Sequence, residues 1–264
     1  MKFLISAALL SLCWSVPASA AILSFQQGVS PTNAYAHLGQ DFRGGGIVNN
    51  GAQMLVGNQP AGLGDNLQIR TVLGFDLNAI PAGSTINSIT LRLVSDGSQA
   101  GNIAGVGNVN LHEVIPNGVA ANNMVEGQVS ATLWQAGSNW TTTLGDYTAA
   151  PLTTATLNNA NANTVLDAGE TATFGTSLAF VNAAQAALNA GLPLEFILIA
   201  PTAEGNNAAS NFFRFRSDDF GTAGDRPLLT IDYTAPVPEP GLAALGLLSA
   251  AGLFGWRRLR AGAR

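Results

Sequence analysis

The chain has 264 residues, 47% of them hydrophobic and only 10% charged, and its formal net charge at pH 7 is −5. A charge content this low excludes a charge-rich disordered chain, a coiled coil and a nucleic-acid-binding protein with a basic patch. With one Cys and two His, the chain also lacks the residues for a disulfide scaffold or a thiolate metal cluster, and it leaves little room for a zinc site or a histidine-based triad.

The first 20 residues have the layout of a secretory signal peptide. Lys2 provides a basic start, residues 3–16 form an apolar run, and Ala18-Ser19-Ala20 provides the small residues of a cleavage site. The apolar run is shorter than the roughly 20 residues of a membrane span. We therefore expect export followed by cleavage after Ala20, rather than a permanent N-terminal anchor.

Short runs of alternating apolar and polar residues predict a body of β-strands. In residues 70–77 the alternation predicts a strand with one apolar face, and the continuous apolar run 194–200 predicts a central strand. The Ala-rich segment 178–188, which is followed by Gly191, predicts the one helix. The pattern favours an all-β fold, a jelly-roll-like antiparallel β-sandwich with one short helix, as a single domain. The other predicted strands cover residues 89–94, 109–115, 153–157, 171–174, 212–217 and 229–233.

The body over residues 21–236 is acidic. It contains fifteen Asp and Glu residues against six cations, all of which are Arg. This balance argues against nucleic acid as a partner, because nucleic acid is bound through clustered Lys and Arg. The many Asn, Gly, Thr and Ser residues between the apolar runs suit turns and polar strand faces.

A second terminal signal follows the body, over residues 237–264. Pro238-Glu239-Pro240 precedes an apolar run over residues 241–256. A helix of this length spans about 24 Å, and the arginines that follow it can snorkel to reach across a hydrocarbon core of roughly 30 Å. The positive-inside rule keeps these arginines on the cytoplasmic side. They are Arg257, Arg258 and Arg260.

Pro-Glu-Pro, a short apolar helix and a terminal Arg cluster, in this order, resemble the PEP-CTERM sorting signal. The resemblance covers residues 237–260. It implies a transient inner-membrane anchor and processing near Pro-Glu-Pro by a membrane-embedded exosortase. It also implies final placement at the cell surface or in the extracellular matrix of a Gram-negative bacterium that builds extracellular polysaccharide. A plain membrane anchor is the alternative interpretation of the same residues.

The body resembles the DNRLRE domain family. The family's Arg-x-Leu-Leu-x-Phe-Asp-Leu strand, Pro-x-Gly turn and Thr-Leu-x-Leu strand correspond to residues 70–77, 80–86 and 89–93, and its closing strand corresponds to residues 226–233. The Asn-Ala-Tyr-Ala of residues 33–36 lacks the acid of the family's Asp-x-Tyr-Ile segment. The resemblance implies a jelly-roll-like β-sandwich of extracellular proteins. Some members are carbohydrate-binding modules, including binders of the acidic polysaccharide alginate.

Arginines on the predicted sheet are the candidate contacts for an acidic polysaccharide. Arg214 and Arg216 lie two residues apart in one strand, so they share a face at a spacing of about 7 Å, and a guanidinium fork matches a carboxylate. Arg70 or Arg92 on the same sheet would complete a grip on uronic acids. In the alternative, structural interpretation the arginines pair with nearby carboxylates, namely Asp218, Asp219, Asp225 and Asp232.

Four aromatic side chains with a polar atom are the candidate stacking surfaces for sugar rings, and they are Trp134, Trp140, Tyr35 and Tyr147. The two tryptophans lie in the polar stretch 128–147, and exposed aromatic side chains have the flat apolar faces on which sugar rings stack. Core packing or loop anchoring is the alternative role for each of them.

Structural calcium is the one cofactor that the sequence suggests. Hard oxygen ligands occur in two groups, although neither group follows the spacing of an EF-hand loop. The first group is Asp167 and Glu170, and the second is Asp218, Asp219 and Asp225.

Catalysis has little support in the sequence. His37 and His112 are the only imidazoles, no Gly-x-Ser-x-Gly elbow accompanies them, and His112-Glu113 lacks the second His of a zincin. We therefore expect a non-catalytic, exported matrix or cell-surface protein that binds exopolysaccharide. The alternative is a structural or adhesive biofilm matrix protein without specific glycan binding, and a polysaccharide-cleaving enzyme is the least supported hypothesis.

Overall fold

The computed structural model describes residues 19–29, 36–43, 48–49, 51–59, 67–97, 103–118, 124–204 and 211–237. The apolar part of the predicted signal peptide, with Ala18, lies outside these ranges, and so does the predicted sorting signal from Pro238 onward. No helix in the described ranges combines the length and the apolar character of a membrane span.

Fourteen strands and three α-helices occur in the described residues. The strands are β1 (Ala20–Phe25), β2 (Ala36–Arg43), β3 (Val48–Asn49), β4 (Gln53–Gln59), β5 (Leu67–Phe75), β6 (Thr85–Val94), β7 (Asn110–Glu113), β8 (Leu133–Gln135), β9 (Ser138–Asn139), β10 (Thr153–Asn158), β11 (Thr171–Phe174), β12 (Leu194–Ile199), β13 (Asn211–Arg216) and β14 (Leu228–Thr234). The helices are α1 (Ile103–Val106), α2 (Leu178–Ala190) and α3 (Pro201–Glu204).

The fold is all-β, as the sequence predicts, and every described strand pairing is antiparallel. Neighbouring strands follow the order β1-β14-β6-β11-β10-β7-β12-β5-β2-β3, and β4 pairs with both β5 and β13. β10 joins the two halves of this order because it pairs with β11 on one edge and with β7 on the other. The small hairpin β8–β9 stands apart.

The predicted central strand is confirmed, since all six residues of β12 are buried and the strand lies between β5 and β7. The main helix is also confirmed as α2. Ser177 caps its start by accepting a hydrogen bond from Phe180 N (3.0 Å), and Gly191 ends it with φ 64°. The prediction of a single helix is incomplete, because α1 and α3 each add one helical turn, too short for a periodic signal.

The main core lies between the two halves of the sheet. Inward residues of the alternating strands, such as Leu91 on β6 and Phe213 and Phe215 on β13, form it. α2 closes it by placing the Phe180 ring edge-on to Phe196, with centroids 5.3 Å apart. Each such ring contributes about 1.5–3 kcal/mol by leaving water.

β5 does not have the single apolar face that the sequence predicts. Leu73 and Phe75 enter the main core, but Val72 on the opposite face is also fully buried, in a second hydrophobic cluster. The covering segment, residues 124–147, packs on this outer face, and Trp140 is its largest buried anchor. The alternation within a strand indicates which residues share a face of the sheet, but not which segment covers that face. The sequence of β5 therefore gave no sign that a polar segment folds over its outer face.

Candidate functional site

The outer face of β5, β12 and β7 carries a row of polar side chains beside the covering segment. Gln68 lies on β5, and Asn110 and His112 lie on β7. Between them, Ile199 of β12 pairs with Asn110, and Ile197 pairs with His112. The two-residue periodicity of a strand places each of these side chains on the same side of the sheet.

Tyr147 is held beside this row by backbone pairing. It forms an isolated antiparallel bridge with Val114, which Ile115 N extends by donating to Asp146 O at 2.9 Å. The Asp146 carboxylate in turn accepts hydrogen bonds from the backbone N–H groups of Thr141 and Thr142, each at 2.7 Å. These contacts fix the position of the tyrosine before any ligand arrives.

The turn that precedes Tyr147 is strained. Leu144 has φ 73°, a left-handed conformation that costs energy in a residue with a β-carbon. Its N–H donates to Ala131 O at 2.7 Å, and its carbonyl accepts from Arg70 Nη1 at 2.8 Å. The surrounding structure therefore maintains an unfavourable backbone conformation next to a half-buried aromatic ring, and strained backbone of this kind clusters at binding sites.

Arg70 lies beneath the site and is committed to internal contacts. Its Nε and Nη2 donate to the two carboxylate oxygens of Glu204 at 2.9 and 2.8 Å, and its guanidinium carbon lies 5.1 Å from the Tyr147 ring centroid. Burial favours a lower pKa for Arg70, but the hydrogen bonds and charge of Glu204 outweigh burial and hold that pKa above its ordinary value. The Arg70 side chain is only 9% exposed, which favours the structural interpretation of this residue over a direct glycan contact.

His112 adds a neutral imidazole to the site. Its Nδ1 lies 2.7 Å from Thr148 O, and because a carbonyl can only accept, Nδ1 carries the proton and Nε2 is left as an acceptor. Burial lowers the pKa of His112, which keeps the ring neutral at physiological pH. The ring stands edge-on to Tyr147, with centroids 5.0 Å apart.

Two cavities share Tyr147 as a wall. The sheet cavity, of about 440 Å³, lies over the polar row and extends to α3. The loop cavity, of about 470 Å³, lies against the turn that Asp146 organises. The polar residues lining the sheet cavity are Gln68, Asn110, His112, Tyr147 and Glu204. Those lining the loop cavity are Thr141, Thr142, Asp146 and Tyr147.

Arg92 and Arg216 contact the same loop, at Gly224 and Asp225, rather than lying side by side on an open face of the sheet. Arg92 Nη2 donates to Gly224 O at 3.1 Å. Arg216 forms an ion pair with Asp225 and lies 4.5 Å from the Phe220 ring centroid. Both arginines therefore hold the loop between β13 and β14, and the Arg216–Asp225 pair is the kind of carboxylate contact that the structural alternative expects.

Arg214 shares the outer face of β13 with Arg216, as the alternation predicts, and lies half-buried opposite Leu55 of β4. Arg226 also holds the loop, because its Nε donates to Phe220 O at 2.7 Å. Arg92, Arg216 and Arg226 thus make contacts that stabilise the loop between β13 and β14.

The two tryptophans are placed differently from each other. Trp140 is 6% exposed, stacks on Phe42 with ring centroids 6.5 Å apart, and donates from Nε1 to Ser130 O at 2.8 Å. Both its ring and its N–H are used within the fold, which favours core packing over stacking on sugar as the role of Trp140. Trp134 is half-buried on β8 and packs against the edge of the second cluster.

The first candidate calcium group is occupied by N–H donors. Glu170 Oε1 accepts from Ala160 N and Oε2 from Asp167 N, both at 2.7 Å. Asp167 Oδ2 accepts from the side-chain amide of Asn163 at 2.8 Å. These carboxylates are thus engaged by N–H donors within the loop.

The second candidate group is divided by the fold. Asp225 pairs with Arg216, whereas Asp218 is buried and Asp219 is exposed. Among the residues that the structure describes, no three His, Cys, Asp or Glu side chains are arranged to hold a metal ion. The suggested calcium therefore has no supporting arrangement in the described ranges.

Sequence reasoning missed that the fold brings three carboxylates, Glu126, Asp218 and Asp219, near enough to interact electrostatically. Burial, together with the charges of Asp218 and Asp219, raises the pKa of Glu126 to about 7, although a hydrogen bond from the Gly39 backbone opposes the shift. Its Oε1 atom is buried without a hydrogen-bond partner. Glu126 lies far from the two aspartates in the chain, so no local pattern indicated the interaction.

Gln68, Asn110 and Glu204 were also not predicted as site residues, because the amides look like ordinary strand residues and Glu204 lies far from them in the chain. Tyr147 was considered as a stacking surface for a sugar ring, with core packing or loop anchoring as its alternative role. No protein-family model and no curated protein matches the chain. The geometry around Tyr147 is thus the main structural basis for a functional proposal.

Proposed function

We propose that the chain is an exported, non-catalytic matrix or cell-surface protein whose jelly-roll-like β-sandwich binds exopolysaccharide at the two cavities beside Tyr147. In this proposal the N-terminal segment is a signal peptide. The C-terminal segment is a PEP-CTERM-type sorting signal that anchors the chain in the inner membrane until an exosortase-type enzyme processes it.

The single observation that carries the binding proposal is the pair of cavities that share Tyr147. Sugar recognition needs an aromatic face together with hydrogen-bonding groups that fix the hydroxyls. Tyr147 supplies the ring, and Gln68 and Asn110 supply amides, while Glu204 lines the cavity wall with its carboxylate held by Arg70. Their positions depend on strand pairing and on the strained turn, so the site is organised in advance.

The two ends of the folded body support the export proposal. Ala20 pairs with Thr234, and Ala235 N donates to Ser19 O at 3.2 Å, so both ends lie together at one edge of the sheet. Cleavage after Ala20 would remove the first residue of β1 together with its pairing to Thr234, and processing near Pro238 would cut beyond the end of β14. Both processing events would therefore cut the chain at the edge of the folded body and leave its core intact.

Glycan arrays and affinity gels with the purified full-length chain test the binding proposal. We expect retardation by at least one bacterial exopolysaccharide. The control is Arg92→Ala, which removes a contact to the Gly224 carbonyl far from Tyr147 in the strand order and should leave retardation unchanged. Absence of retardation by every acidic and neutral glycan would reject the proposal.

The alternative, a structural matrix protein without specific glycan binding, is favoured by a different observation. β1 has one strand partner in the described residues, β14, and its Ile22 side chain is 72% exposed. An edge strand with an exposed apolar residue is suited to self-association. Concentration-dependent assembly that Ile22→Lys abolishes, together with a lack of glycan binding, would favour this alternative.

A further inference from the structure

The charge of the two cavities restricts the kind of sugar that they suit. Each cavity is lined by one acidic residue, Glu204 in the sheet cavity and Asp146 in the loop cavity, and no Arg or Lys lines either of them in the described part of the chain. Arg70 lies close, but its guanidinium is taken by Glu204 and Leu144. Arg70 offsets the charge of Glu204, so a uronate carboxylate in the sheet cavity would find no cation left to pair with it among the residues that line the cavity. In the loop cavity the carboxylate would meet the like charge of Asp146, which costs affinity.

The remaining polar groups suit hydroxyls. A sugar hydroxyl both donates and accepts, and carboxylate oxygens accept whereas side-chain amides do both. The sheet cavity offers the Gln68 and Asn110 amides, and the loop cavity offers the hydroxyls of Thr141 and Thr142. His112 adds an acceptor at Nε2, because its Nδ1 is held by Thr148 O.

The size of the two cavities, and the wall that they share, suit a ligand with more than one sugar unit. Each volume falls within the roughly 300–1,000 Å³ of small-molecule sites. Because Tyr147 is a wall of both, a chain of sugar units that contacts the tyrosine is placed to enter each of them. We propose that the two cavities are adjoining subsites for one neutral oligosaccharide, with Tyr147 between them; this inference rests on the proposed function and names its ligand class.

Calorimetric titration of the full-length chain with oligosaccharides of increasing length tests the inference. The probes are neutral series of glucose, galactose and mannose units, from monosaccharide to hexasaccharide, and the corresponding uronic acid series. We expect at least one neutral series to bind about tenfold more tightly once both subsites are filled. We expect the uronic acid series to bind more weakly at equal length.

Two variants locate the subsites. Gln68→Leu alters the sheet cavity and Thr142→Val the loop cavity; the first side chain is half-buried and the second exposed, so neither change should disturb the fold. Each is expected to weaken the longer oligosaccharides about tenfold. Thr156→Val, at an exposed position on β10, is the matched control and should have no effect.

The outcomes separate this inference from the proposed function. Tighter binding of uronic acids, affinity that does not depend on length, or binding that neither cavity variant weakens would overturn the inference while leaving glycan binding intact. Failure of every glycan to bind would overturn both.

Discussion

Arg70 and Glu204, 134 positions apart in the chain, form a two-pronged ion pair whose side chains are each 9% exposed. The pair connects β5 to α3 and lies directly beneath the Tyr147 ring. It thus fixes the floor of the candidate site by joining segments that are distant in sequence.

Breaking the buried ion pair should destabilise the fold. We expect Arg70→Met or Glu204→Leu alone to lower the free energy of unfolding by about 3–5 kcal/mol, because each leaves a buried charge without its partner. Denaturant unfolding measures the change. The double variant should recover much of the loss, and a double variant as unstable as the sum of the single ones would contradict the pairing.

The two tryptophans give a matched comparison. Trp140→Phe removes the hydrogen bond to Ser130 O and should cost about 1 kcal/mol of unfolding free energy beyond the change in packing. Trp134→Phe should be neutral or stabilising, because its Nε1 is buried without a partner. Thermal unfolding of both variants checks this, and equal losses would be inconsistent with the assigned contacts.

Glu126 predicts a pH dependence of stability. Its pKa of about 7 in the folded chain lies above the ordinary value of 4.5, so between these values the folded chain holds a proton that the unfolded chain has released. Stability should therefore fall as pH rises through this window. Glu126→Gln should flatten the fall, so that the variant exceeds the native chain in melting temperature at pH 8 but not at pH 4.

A second variant identifies the cause of that shift. Asp219→Asn removes one of the two charges that raise the Glu126 pKa and should move the stability change to lower pH. Melting curves recorded across the pH range measure this. An unchanged midpoint would show that Asp219 does not act on Glu126.

The turn before Tyr147 requires glycine at position 145. Gly145 has φ 109°, and an added β-carbon would lie 2.9 Å from Ile197 Cδ1. Gly137 also has a positive φ, of 78°, but open space around it. Both Gly→Ala variants pay for the backbone conformation, so we expect Gly145→Ala to lose more stability than Gly137→Ala in denaturant unfolding.

Local periodicity predicted the strands whose side chains divide between core and solvent. β2 was not predicted because it buries polar residues. Gln40 is fully buried and donates to Val129 O at 2.8 Å, and the buried Asp41 accepts from Leu55 N at 3.0 Å. A strand of this kind has no apolar alternation to detect, and only its long-range partners make it stable.

The candidate site could not be predicted from the sequence, because it too depends on contacts between residues that are distant in the chain. The arginines were correctly identified as the body's only cations, but their partners come from distant segments, and those partners decide whether a guanidinium faces solvent. Arg70 meets Glu204 only when α3 folds against β5. Tyr147 becomes a site residue only because Val114 and the turn at Leu144 place it beside the polar row.

The most direct test of glycan binding at Tyr147 is the dissociation constant of one retained oligosaccharide for the native chain, Tyr147→Phe, Tyr147→Ala and Trp134→Ala. Melting curves confirm that each variant is folded. We expect Tyr147→Phe to stay near the native value, Tyr147→Ala to lose about tenfold or more, and Trp134→Ala to bind normally. Native affinity in Tyr147→Ala, or a loss confined to Trp134→Ala, would contradict the assignment of the site.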